Sequence, residues 1–440
     1  MSYKDLPRLK VEMRHKMELS ISKMPTSITS DYYPIHKWYN FIAGYAPEYI
    51  HYVIDEFDKK NGYFPCKIYD PFAGCATTNV VSNSYGIPSI GVERNPFFYR
   101  IGLSKTSIRL VYSKLPVVEE DFLKIIYMTK HTNLISTLST DAKCYLLKLF
   151  DQDVLEKLLV LREHTKTYSK EVYIVSHIFL SKILEYTTHA KTDGIYKAPT
   201  SVKRSYSIQN AFDLIKQIMH EGELQFREQK NLCNYKFNSS IDYILDEDSI
   251  DLVVFSPPYL NNFDFAEMTR MQMYFWEDAR NWSEISENHR NHMLVNTTTA
   301  LKLVRTQEQQ NILKSTLPIS LQIKINPLIA QLNDIKKAKP SKKEYNLLFY
   351  PYLAQMNQVL KNCFNGLRRN GEIHIIVSDA AFYGFHIDTH IFLYDLLENI
   401  GFTGLQIIQM RSRGNRWILD KRVSSGRQLG EYEIVGIKEN

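Results

Sequence analysis

The sequence predicts an α/β protein with a mostly parallel sheet and helical insertions, and three stretches predict it. Ile250 to Phe255 is a nearly continuous apolar run, the pattern of a strand buried on both faces, and it stops at Ser256-Pro257-Pro258-Tyr259. Lys67 to Asp70 is a short strand that runs through Pro71-Phe72-Ala73-Gly74-Cys75-Ala76 into a helix opening at Thr77-Thr78. Ile90-Gly91-Val92-Glu93 is another strand, closed by an acid ahead of Asn95-Pro96.

The remaining elements follow in order. Residues 1 to about 110 hold an N-terminal segment and the first two strands. From about 111 to 235 the pattern turns helical: Leu146, Leu147, Phe150, Val154, Leu158 and Leu161 recur at helical spacing, and Tyr173 to Tyr186 is a further apolar helix. This insertion separates the second strand from the third, as a recognition region or a helical brace, and we expect the former. The sheet resumes at about 236 and passes through the Pro-Pro-Tyr turn into a helix whose Met268, Met271, Tyr274 and Trp276 read as core. A second insertion, about 285 to 345, is basic. A helix at 352–367, a strand at 372–377, a helix at 391–400 and strands at 405–410 and 432–437 complete the sheet.

The proline pair gives the first chemical signal. Two consecutive prolines lack N–H groups and have fixed φ, so the strand ends in a stiff extended turn. That turn holds a hydroxyl (Ser256), a backbone carbonyl (Pro257) and an aromatic face (Tyr259) at the carboxyl edge of the sheet, where open α/β folds bind ligands. A hydroxyl and a carbonyl accept hydrogen bonds from an amino group while an aromatic ring stacks on its base. Gly74 lets a ligand approach the backbone closely, and Thr77 or Thr78 suits the cap of the next helix. The G-x-G-x-x-G spacing and a Gly-Lys-Ser/Thr phosphate loop are both missing here. A carboxylate in the place of Glu93 accepts both hydroxyls of a ribose. Strand, small-residue turn, helix, strand and acid make half of a nucleoside site.

Composition narrows the class. The chain has 440 residues, 44% of them apolar, enough for one large domain or two moderate ones. It shows neither a basic-plus-apolar leader nor an apolar stretch long enough to cross a bilayer. Net charge is only +6, so its distribution matters more than its sum. Three basic stretches are candidates for a phosphate backbone: Lys336, Lys337, Lys339, Lys342 and Lys343; Lys203 and Arg204 within residues 189–206; and Arg411 and Arg413. The bland reading of each is a solvated loop. Cysteine chemistry at a pyrimidine ring would place a thiol in the catalytic turn, but Pro65-Cys66 precedes the first strand and reads as buried and structural. Cys75, Cys144, Cys233 and Cys363 lack C-x-x-C spacing, so neither zinc nor a disulfide frame is indicated, and this usage fits a reducing cytoplasm.

The pair Asp70-Pro71-Phe72-Ala73-Gly74 and Ser256-Pro257-Pro258-Tyr259 resembles the amino-group DNA methyltransferases that use S-adenosylmethionine, in their cytosine-N4 type. Tyr32-Tyr33-Pro34-Ile35-His36-Lys37-Trp38 is similar to the segment that closes over the methionine end of the cofactor in that family. Pro96-Phe97-Phe98-Tyr99, Leu260 to Phe265, Asn370 to Asp379 and Gly401-Phe402 extend the likeness to about half the chain. The resemblance implies a Rossmann-like methyltransferase sheet with one antiparallel strand near the C-terminus. It also implies a cofactor site at Tyr33, Pro34, Asp70, Phe72, Ala73, Gly74, Thr77, Glu93 and Asn95, and catalysis by Ser256, Pro257, Pro258 and Tyr259 on a base swung out of double-stranded DNA. Two positions depart from the family pattern. Ala76 replaces a glycine, and Ser239 or Ser240 replaces the acid beside the adenine, a place Asp121 is available to fill. The expected activity is protective methylation in a restriction–modification pair, with a cognate endonuclease acting separately. Two other readings stay open: methylation of adenine N6 or of an RNA amino group, and a decayed DNA-binding subunit on the same fold.

Overall fold

The computed structural model describes residues 30, 32–41, 44–128, 132–193, 196–261, 263–338, 344–413 and 428–439. Eleven strands appear among them: β1 (Ile68–Asp70), β2 (Ser89–Glu93), β3 (Ala190–Asp193), β4 (Tyr196–Val202), β5 (Cys233–Phe237), β6 (Ile250–Phe255), β7 (Leu367–Ser378), β8 (Ala380–Phe382), β9 (Phe385–Ile387), β10 (Thr403–Arg413) and β11 (Leu429–Lys438). Seven form one sheet in the order β10-β11-β7-β6-β1-β2-β5. All neighbours are parallel except those of β11, which runs antiparallel to both β7 and β10. This is the Rossmann-like methyltransferase sheet that the sequence predicts, antiparallel strand included.

Every residue of β6 is buried, which its apolar run requires. Helix Pro47–Asn61 covers one face, burying Tyr49, Ile50, Val53 and Phe57 with Leu252, Val254 and Ile376. On the other face, helices Phe349–Gly366 and Thr389–Ile400 pack on Val253, Phe255 and Ile375. Gly91 in β2 is required by a close approach: a Cβ there would lie 2.5 Å from Asn79 Oδ1 and 2.8 Å from the Tyr235 ring of β5.

The first insertion runs from helix Ile108–Met128 through Gln152–Thr165, Lys170–Thr187 and Ile208–His220, joined in one core to helix Pro96–Thr106. Within it the structure forms a hairpin, β3–β4, where the sequence reads as helical. Pro199 bars a helix interior and suits an edge strand, and Thr200 and Val202 favour an extended chain. The second insertion contributes helix Ile319–Ala338, whose Leu321, Ile325, Leu328 and Leu332 are buried against the sheet's helical layer. Met271, Met273 and Tyr274 are core. No helix among the described residues is long and apolar enough to cross a membrane.

Candidate active site

The parallel register of β1 and β6 sets Ile68 opposite Leu252 and Tyr69 opposite Val253. The loop after Asp70 and the turn after Phe255 therefore leave the same sheet edge side by side, about one strand spacing apart, roughly 4.8 Å. The Phe72 and Phe255 rings pack together there, 5.7 Å between centroids. The turn is held at its far end. Tyr352, fully buried, donates its hydroxyl to the Pro258 carbonyl at 2.9 Å, and the Tyr259 hydroxyl donates to Glu431 Oε1 at 2.8 Å. Ser256 is half-buried, and neither its hydroxyl nor the Pro257 carbonyl has a hydrogen-bond partner among the described residues.

The facing loop is organised around two carboxylates. Asp70, at the end of β1, accepts from Phe72 N (3.0 Å), Thr78 Oγ1 (2.5 Å) and Tyr45 Oη (2.6 Å). Burial pushes its carboxyl up to about 6 against the pull of these donors. Glu93, at the end of β2, accepts from Gly74 N at 2.9 Å and Asn95 N at 2.6 Å, and burial raises its carboxyl to about 7. The two acids thus hold the Pro71–Ala76 turn at Phe72 and at its middle, Gly74, which has φ 53°. The Tyr235 hydroxyl of β5 donates to the Gly74 carbonyl at 2.6 Å and supplies a third hold.

Ala76 stands where the backbone itself favours glycine. It adopts φ 65° as the N-cap of helix Thr77–Ser84, a left-handed conformation that strains a residue with Cβ by about 1–2 kcal/mol. Neither threonine caps that helix, because the Thr78 hydroxyl turns back to Asp70. Thr77, with Tyr45, Cys75, Phe41, His36 and Lys105, lines a small space beside the loop. Lys105 is buried there and donates to the Tyr39 carbonyl at 2.8 Å. Tyr33 and Pro34 lie elsewhere, in a cavity of about 190 Å³ along the outer side of helix Thr77–Ser84 with His51 and Val80. From the N-terminal segment it is Phe41 and Tyr45, not Tyr33 and Pro34, that meet the loop.

Other expected site residues fall as follows. Ala73 is buried under the loop. Asn95 is buried and caps helix Pro96–Thr106 through Phe97 N and Phe98 N, so its side chain is structural. Ser239 follows β5, whose last residue, Phe237, pairs with Glu93, and this brings it to the same edge. Asp121 is not at the edge: it sits inside helix Ile108–Met128 and accepts from the Tyr168 hydroxyl at 3.1 Å, because buried Val118 and Phe122 carry the helix through it. Cys66 is exposed rather than buried, in the turn before β1 at the opposite end of the sheet.

The basic candidates divide. Arg204 is exposed and Lys203 half-buried, just beyond β4. Lys336 pairs with Glu344, and Lys337 is largely exposed with Asp334 at 3.5 Å. Arg411 turns inward, its Nε 2.5 Å from Glu431 Oε2. Lys339, Lys342 and Lys343, and the Arg413 side chain, lie outside the described residues. Tyr45, Tyr235, Tyr352 and Glu431 had no signal in the sequence, since each acts on a residue 25 to 172 positions away.

Sheet order, a loop pinned by two acids and a proline-stiffened turn beside it define a Rossmann-like methyltransferase fold. No protein-family model matches the chain. It is similar over nearly its whole length to type II methyltransferases. It is 21% identical over 485 residues to M.BsoBI of Geobacillus stearothermophilus, covering 99% of this chain and 91% of that protein. It is 22% identical over 455 residues, 92% of this chain and 88% of the relative, to M.AvaI of Nostoc sp. strain PCC 7120 and to M.AvaI of Anabaena variabilis.

Proposed function

We propose that the chain is a site-specific DNA methyltransferase acting on the exocyclic N4 amine of a cytosine swung out of double-stranded DNA, the modification enzyme of a restriction–modification pair. The observation that carries the reading is the Ser256 hydroxyl and Pro257 carbonyl, without a hydrogen-bond partner among the described residues, on a rigid turn beside the Asp70–Glu93 loop. The similarity to type II methyltransferases over almost the full length supports it.

The residues present suit S-adenosylmethionine. Glu93 offers carboxylate oxygens where a ribose would sit, Gly74 admits close approach, and the buried ammonium of Lys105 suits a carboxylate. The space beside Thr77 measures about 10 Å³, room for one water. When bound, the cofactor supplies an electrophilic methyl group.

The chain's part is alignment and the placing of dipoles. The cytosine amine is a poor nucleophile because its lone pair is delocalised into the ring. Two acceptors on its N–H groups, Ser256 Oγ and the Pro257 carbonyl, favour the pyramidal geometry that frees that pair. Tyr259 offers a face on which the extruded base stacks. A neutral serine does not retain the proton, which leaves to water.

The first insertion is the proposed recognition region. Tyr196 of its hairpin accepts a hydrogen bond from Asp264 N at 2.9 Å, which joins it to the segment leaving the catalytic turn. Lys203 and Arg204 beyond the hairpin, and Lys336 and Lys337 on the second insertion, are its proposed phosphate contacts. Ser256→Ala tests the reading: we expect turnover to fall about 10²-fold or more, with cofactor affinity unchanged. Unchanged turnover removes Ser256 from the chemistry.

A further inference from the structure

We infer that Glu431, braced by Arg411, is a positioning residue that fixes the plane of the Tyr259 ring on which the target base stacks. The inference rests on the function proposed above and adds a residue to it. Glu431 lies in β11, opposite Arg411 of β10 and Ser378 of β7, and is 2% exposed. A carboxylate so deep in a sheet persists only if its oxygens are engaged. Each oxygen here has a distinct partner: Oε1 takes the Tyr259 hydroxyl at 2.8 Å, and Oε2 takes Arg411 Nε at 2.5 Å.

The geometry separates two jobs on one turn. The proline pair, the Tyr352 hydroxyl on the Pro258 carbonyl and the Phe72–Phe255 contact fix the backbone. None of these fixes the Tyr259 ring, whose χ2 torsion is intrinsically broad and two-fold. The phenol O–H prefers to lie in the ring plane, so a hydrogen bond to an acceptor locked in a strand anchors the far end of the ring and biases its plane toward that acceptor. The Arg411 guanidinium holds the acceptor in turn, its Nε on the oxygen that Tyr259 does not use. The turn's other polar groups, the Ser256 hydroxyl and the Pro257 carbonyl, are left for the substrate.

The test uses the full chain and its Tyr259→Phe, Glu431→Ala, Glu431→Gln and combined Tyr259→Phe/Glu431→Ala forms. Three quantities are read: methyl transfer to duplex DNA, S-adenosylmethionine binding by calorimetry, and the emission of 2-aminopurine placed at the mapped target position, which reports an unstacked base. Tyr259→Phe and Glu431→Ala are each expected to lower kcat about ten-fold, leave cofactor affinity unchanged and diminish the emission gain. The combined form loses no more than Glu431→Ala alone, because Tyr259→Phe then removes a contact already gone. Glu431→Gln keeps an acceptor for the hydroxyl but turns its NH₂ toward Arg411 Nε, so it recovers part of the rate. Losses that multiply in the combined form, or parental turnover in Tyr259→Phe, overturn the positioning role. Tyr259→Phe removes a single oxygen and stays decisive if Glu431→Ala does not fold. A parent chain that methylates no DNA overturns the functional reading itself and this role with it, an outcome distinct from an active parent with unaffected variants.

Discussion

Replacing Glu93 with glutamine probes the cofactor half of the site. Its two oxygens accept from Gly74 N and Asn95 N, tying the loop after β1 to the helix after β2. An amide keeps one acceptor and turns an NH₂ toward the other donor, so one charge-assisted hydrogen bond is lost, about 1.5–3 kcal/mol. Expressed in cofactor affinity that is a loss of about ten- to a hundred-fold. The pH dependence sharpens the test. Burial holds the Glu93 carboxyl at about 7, so it is mostly neutral at pH 6 and mostly charged at pH 8. The parent should therefore bind S-adenosylmethionine about ten-fold more tightly at pH 8 than at pH 6, as expected for one ionisation with that pKa. Calorimetric titrations of both proteins at the two pH values measure this, and the Glu93→Gln protein controls for ionisation of the cofactor's own amine. The same pH dependence in both proteins, or equal affinity at pH 8, refutes a ribose role for Glu93.

Two further outcomes are expected. Tyr235→Phe removes the hold on the Gly74 carbonyl at a cost of about 1–3 kcal/mol, and calorimetry should show weaker cofactor binding with the ring's packing against Gly91 and Gly102 intact; unchanged affinity contradicts it. His374 lies between Glu433 Oε1 at 2.8 Å and Glu372 Oε2 at 3.4 Å. Burial opposes its charge, but the two carboxylates outweigh burial and raise the imidazole to about 9. A pKa raised from 6.5 stabilises fully below pH 6.5 and loses that contribution as pH rises through about 9. Urea midpoints should thus show a His374→Gln deficit at pH 6 that shrinks by pH 9.5, and a deficit that grows with pH contradicts the assignment.

The sequence carried those parts of the fold that depend on local chemistry. The β6 run could only be a doubly buried strand, and two prolines after it could only end it. The small-residue turn before Thr77 and the acid ending β2 were equally legible, because backbone geometry and strand length confine their residue types. Contacts that cross the fold were not. Glu431 is one acid among many in the sequence and becomes informative only when β11 sets it under Tyr259. The hairpin β3–β4 was hidden inside a helical stretch, although Pro199 argued against a helix there. Asp121 was offered only as an acid available for the adenine side, but Val118 and Phe122 at helical spacing bury one face of a continuous helix that carries it away from the sheet edge. Cys66 was expected inside because cysteine usually is, yet the turn ahead of β1 leaves it in solvent.

Incubating duplex DNA with the protein and methyl-labelled S-adenosylmethionine, digesting it to nucleosides and weighing them tests the central claim most directly. A serine and a peptide carbonyl cradling an extruded cytosine amine should yield N4-methyldeoxycytidine. Label found in N6-methyladenine or 5-methylcytosine, or in no nucleoside, would contradict the account.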